Sequence, residues 1–172
     1  MSKIPPTINW QAIRDEEKER QEGFRRIGEF LFWFSQLEFT IRARLEHALG
    51  LPDELAEAVT TPYDFAVLCT VTTTVLLSHY PPEQKPDIER VFNACKRLND
   101  ERVRVAHGTW LHLIQTGLIA RHASRSKLKG DFFFQDPETL PKLTAEAQRL
   151  MQQVLQVPSA PDTDADPQLD RG

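Results

Sequence analysis

The stretch Asn99-Asp100-Glu101-Arg102-Val103-Arg104-Val105-Ala106-His107-Gly108 closes a long amphipathic segment that begins at Pro86. Steps of three and four residues from Ile88 give Val91, Cys95, Leu98, Arg102 and Val105, the spacing of one face of a helix. Arg102 is the one charge on that otherwise apolar stripe. An arginine is almost never fully buried without a partner, so this one calls for an explanation. The helix is expected over residues 84–106, with Gly108 as its stop.

Upstream, Phe24, Ile27, Leu31, Phe34, Glu38, Ile41, Leu45 and Ala48 keep the same alternation, and Phe30, Trp33 and Leu37 add a second apolar face. A helix apolar over so much of its circumference is either central in a bundle or shared with another subunit. Its main stripe also carries one charge, Glu38. Two charged outliers on two packed helices make Glu38 the expected ion-pair partner of Arg102. The helix starts near Trp10 with a solvated charged run over residues 14–20, and Gly50-Leu51-Pro52 ends it. Residues 53–59 suit a short helical turn. Thr61-Pro62-Tyr63-Asp64 offers a cap, a first-turn proline and an acid, predicting a helix over 62–79 despite the β-branched run Val71 to Val75.

Downstream of Gly108 the helical period is lost. Short apolar runs at 109–115, 118–123 and 131–135, punctuated by Thr116-Gly117 and Lys129-Gly130, predict a small β-hairpin or meander. Between the runs lies a basic patch of Arg121, His122, Arg125, Lys127 and Lys129. Asp136-Pro137-Glu138 can cap a last helix whose stripe is Leu140, Leu143, Ala147, Leu150 and Val154. The expected fold is mainly α: an antiparallel four-helix bundle with the β insertion at about 109–135, before the last helix. One domain is expected over 10–156. It would be flanked by a loose leader at 1–9 and a disordered acidic, proline-rich tail at 157–172.

Composition narrows the function. The chain of 172 residues is 40% hydrophobic and 27% charged, with a net charge of −4, so no global basic field points to nucleic acid. Cys69 and Cys95 lie on apolar faces without CxxC or Cys/His ligand spacing, and read as buried thiols of a reducing compartment. The charged first thirty residues exclude a secretory signal, and no apolar run has the length of a membrane span. A cytoplasmic protein with no membrane association is expected. Scattered glycines exclude a phosphate loop. Separated histidines leave no metal site, and no other cofactor is expected.

What remains is Arg102 and His107. Residues five apart on a straight helix point about 140° from each other. The two side chains therefore meet only if the helix breaks near Ala106, or if a second copy brings its own stretch alongside.

The segment Leu98-Asn99-x-x-Arg102-x-x-x-Ala106-His107-Gly108 resembles the signature of the HEPN superfamily. There, an arginine is followed after four to six residues by a histidine. The stretch Gly28-x-Phe30-x-x-x-Phe34-Ser35-x-Leu37-Glu38 is similar to the first helix of bacterial members, and the likeness covers most of residues 20–156. The resemblance implies a helical homodimer and a metal-independent endoribonuclease, of the kind found among toxins and phage-defence effectors with an antitoxin or defence partner. It implies His107 as general base on a ribose 2′-hydroxyl, Arg102 on the scissile phosphate, and Asn99 orienting either group. Arg104, Arg121, Arg125, Lys127 and Lys129 are the candidate RNA contacts. Val103 stands where active members usually carry a polar residue. The alternative is therefore a non-catalytic HEPN-like module for dimerisation or for binding a protein or nucleic acid.

Overall fold

The computed structural model describes residues 9–113, 117–122 and 131–157. The leader and the tail, together with Arg125, Lys127 and Lys129 of the basic patch, lie outside the described residues. The first element, α1, runs from Trp10 to Leu49 without interruption, 40 residues or about 60 Å. The Asn9 side chain caps it by accepting from the Ala12 N–H at 3.1 Å. Gly50 ends it in the left-handed region at φ 60°, where a Cβ would be strained. Its buried centre is Phe30, Phe34, Leu37, Ile41 and Leu45, drawn from both predicted faces. Phe24 lies exposed, and Leu31 and Glu38 lie at the margin.

The short α2, Asp53–Thr60, leads into α3, Phe65–Ser78. The cap of α3 is Asp64, whose carboxylate accepts from the Val67 N–H at 2.8 Å, three residues later than the expected Thr61. Asp64 sits in extended backbone (φ −66°, ψ 166°), from which its side chain reaches that N–H, while Thr61 and Pro62 form the turn after α2. The β-branched run is helical because the face of Leu68, Cys69, Thr72 and Leu76 is buried, and the Thr70, Thr72, Thr73 and Thr74 hydroxyls find acceptors in the carbonyls four residues earlier. Next come α4, Lys85–His107, then three strands, β1 Thr109–Leu113, β2 Gly117–His122 and β3 Asp131–Phe133. The strands form one antiparallel sheet in the order β1-β2-β3. The chain then enters α5, Thr139–Gln156, where Asp136 accepts from the Glu138 N–H at 2.9 Å just before the helix.

The four longer helices share one apolar core, with α1 packed on α5 and α3, and α4 closing the far side against both. Their senses differ from the antiparallel expectation. Arg26 donates to the Pro137 carbonyl at 2.9 Å, and Arg44 donates to that of Val157, so α5 runs in the same sense as α1. Phe34 meets Phe65 at 4.6 Å between ring centroids, and Arg44 bonds to Tyr80, so α3 does too. The cause is α2, which carries the chain back down α1 before α3 begins: Arg42 donates to the Thr60 carbonyl, and the Thr60 hydroxyl donates to Glu46 at 2.8 Å. Among the long helices only α4 runs against α1. Residues 10–25 of α1 extend past the start of α5, and Glu22–Arg25, Glu22–Arg26 and Arg25–Glu29 pairs lace this projecting part. Among the described residues, no helix is long and apolar enough to cross a membrane.

Candidate functional site

The last turns of α4 carry Asn99, Arg102 and His107. Pro86 and Asp87 in the first turn suit the helix start, and Arg104 and His107 suit the negative end of its dipole. The Gly108 N–H still donates to the Arg104 carbonyl at 2.9 Å, so the helix passes unbroken through His107. Of the two geometries open in the sequence, the single-chain break is therefore absent. Arg102 and His107 of one chain diverge by about 140° with about 7.5 Å of rise between them.

Arg102 turns inward. Its guanidinium carbon lies 5.6 Å from the centroid of the Phe34 ring, which is only 2% exposed. The cation thus covers a core aromatic and keeps one side half-open to water, which explains a charge on an apolar stripe. The ion pair expected with Glu38 does not form. Glu38 lies one turn beyond Phe34 on α1 and pairs with its own i+4 neighbour, Arg42, at 3.5 Å. An arginine seated at the level of Phe34 is displaced along α1 from that carboxylate, and the partner on the same helix holds it.

His107 is exposed, Asn99 and Val103 are half-buried, and Ala106 is exposed. Ala106 stands about five turns after Ile88 and points the same way, yet Ile88 is buried. One side of the core face of α4 is thus open at its end, while Val105 on its other side stays buried. Looking down the helix, Asn99, Val103 and Ala106 form the middle of that open strip, with Arg102 on one flank and His107 on the other.

Arg104 is committed within its own chain. It pairs with Glu101, and its guanidinium carbon lies 4.8 Å from the Phe133 ring centroid on β3. Trp110, three residues after His107, anchors the helix end. Its Nε1–H donates to the Val105 carbonyl at 2.9 Å, and its indole stacks on Phe134 at 5.4 Å and 18°. The signal available beforehand was an aromatic two residues after a helix stop, placed to reach the last carbonyls. Phe34 was legible as core or subunit interface, with no sign that it seats Arg102. Arg121 is placed by its backbone in β2, paired with Thr109 and Phe132, and its side chain lies outside the described residues.

The cysteines are buried and unpaired. Burial pushes the Cys69 thiol up to about 12, and that of Cys95 is also pushed up by burial. Neither is a nucleophile at neutral pH. Among the described residues no group of three or more His, Cys, Asp or Glu gathers where a metal ion would sit. Comparison of the chain with family models, with curated proteins and with solved structures gave no match.

Proposed function

We propose that this chain is a metal-independent endoribonuclease of HEPN type that works as a homodimer, with an active site shared between two copies. The observation that supports it is the open strip along one side of the end of α4, with Arg102 and His107 on its opposite flanks. When two such strips face each other with the helices in the same sense, a two-fold axis along them turns the Arg102 flank of one copy toward the His107 flank of the other. His107 is exposed and free to take the proton of a ribose 2′-hydroxyl. The oxygen attacks the adjacent phosphorus, the 5′-oxygen leaves with a proton, and the products are a 2′,3′-cyclic phosphate and a 5′-hydroxyl. Arg102 from the other copy would leave Phe34 to fork onto the phosphate oxygens and balance the charge that builds there. Asn99, on the same strip, would orient either group. A toxin or phage-defence role, with an antitoxin or defence protein as partner, is the setting this chemistry fits.

The reading is tested by incubating purified protein with structured and unstructured RNA in EDTA. Cleavage that ends in cyclic phosphate and falls at least about 100-fold in His107→Ala supports it. Cleavage unchanged in that variant, or no cleavage by the wild type, rejects it.

The seat of Arg102 on Phe34 favours a second reading, a non-catalytic HEPN-like interaction module in which the arginine is architectural. In that case Arg102→Ala lowers stability and the wild-type protein cuts no RNA.

A further inference from the structure

The side of α1 turned away from the core carries a second apolar band that nothing in the described chain covers. Phe24 is 51% exposed, Phe32 56% and Phe39 68%, spaced so that all three project on one side with Gly28 and Ser35 between them. Gly28 is the informative member. A glycine inside a helix weakens it relative to alanine, so a reason for it is expected. Its own chain supplies none, since a Cβ built there meets nothing within 4 Å among the described residues. Ser35 is the second small residue of the band, and its hydroxyl already donates to the Phe32 carbonyl at 2.7 Å, so covering it leaves no unmet donor.

The band has a symmetry of size about the point between Leu31 and Phe32. Phe24 mirrors Phe39, and Gly28 mirrors Ser35. That pattern suits a helix packed on an antiparallel copy of itself, where each residue meets its mirror position across a two-fold axis and Phe32 falls beside Leu31 of the other copy. We infer that the partner for this band is α1 of a second copy of this chain, antiparallel, crossing closely where Gly28 of each faces Ser35 of the other.

Two further observations agree. The pairing lays residues 10–13 of the projecting part of α1 against residues 50–53 of the other copy, next to the exposed Leu55 and Val59 of α2. It thereby gives a covered surface to Trp10, which is 62% exposed in the single chain. Area is also sufficient. Four aromatic side chains more than half exposed hold roughly 400–500 Å² per copy, and two copies approach the roughly 1,000 Å² of a stable interface before the aliphatic residues are added. The contact is independent of the ribonuclease reading, because the band faces away from α4. With both contacts made, each copy meets two neighbours through two kinds of interface.

The test is sedimentation of the full chain across 1–100 µM, a range of about two decades around common dimer affinities. Phe32→Glu, an exposed position, is expected to weaken self-association at least about 30-fold and halve the mass while leaving the helical signal unchanged. A single cysteine placed at Phe24 in one sample and at Phe39 in another settles orientation. The mixture is expected to cross-link between the two variants, and neither variant with itself. Equal masses for wild type and Phe32→Glu overturn the proposal, as does cross-linking of the Phe24→Cys variant with itself. Loss of RNA cleavage plays no part in these readouts, so failure here and failure of the ribonuclease reading remain separable.

Discussion

The guanidinium of Arg102 lies over the ring of Phe34, 5.6 Å from carbon to centroid, and joins the end of α4 to the middle of α1. The contact places the only charge of the α4 core stripe at the margin of the core, where the ring face attracts it and water still reaches it. A double-mutant cycle with Phe34→Leu and Arg102→Met is expected to give a coupling of about 0.5–2 kcal/mol in chemical denaturation. Phe34→Leu also shrinks a buried side chain and is expected to cost about 1–3 kcal/mol by itself. Additive single effects would show that the arginine only passes near the ring.

Trp110 offers a separate handle on the same helix end. Its indole N–H satisfies the Val105 carbonyl, one of the last acceptors of α4. Trp110→Phe keeps a ring for Phe134 and removes the donor, with an expected loss of about 1–2 kcal/mol. Hydrogen exchange should accelerate first at the amides of residues 104–108. Uniform acceleration over the whole chain would mean that Trp110 acts on the core at large.

How far the sequence disclosed this arrangement depends on what each residue interacts with. Helix stops set by local chemistry were legible: Gly50 ends α1 in the left-handed region, and α4 ends at Gly108, which leaves the helix in extended backbone. The cap of α3 is expected at Thr61 and lies at Asp64, because two candidates three residues apart satisfy the same composition rule and only backbone geometry separates them. The sense of α3 was hidden in α2, a two-turn helix whose return down α1 leaves no periodic trace. Arg102 is legible as an exception, and the opposite charge of Glu38 is the partner its stripe suggests. An aromatic ring holds it instead, and Glu38 already had a partner four residues away on its own helix.

The thiols should be silent in the native protein. With burial pushing Cys69 to about 12, the thiolate fraction at pH 8 is on the order of one in ten thousand, and the side chain is closed to solvent as well. A disulfide reagent at pH 8 is expected to label neither cysteine in native protein and both in 6 M guanidinium chloride. Rapid native labelling would show that the core between α3 and α4 opens.

Asp136 gives a dependence on pH. The Glu138 backbone N–H and then Lys142 hold its carboxyl below the ordinary carboxylate value. A carboxylate depressed in the folded state stabilises above its unfolded value, near pH 4, and that contribution is lost as pH falls through the folded value. The difference in Tm between wild type and Asp136→Ala should be constant above about pH 5 and narrow below about pH 4. A difference that stays constant down to pH 2 would assign the effect of the substitution to the backbone of the turn.

The central claim is that Arg102 and His107 act on one phosphodiester from two different copies. It is tested most directly by mixing two inactive variants, Arg102→Ala and His107→Ala, after denaturation and refolding together. Half of the randomly formed dimers are then mixed, and each mixed dimer holds one intact pair out of two, so about one quarter of wild-type RNA cleavage should return. If the mixture stays as inactive as its components while mixed dimers are shown to form, the shared site is contradicted.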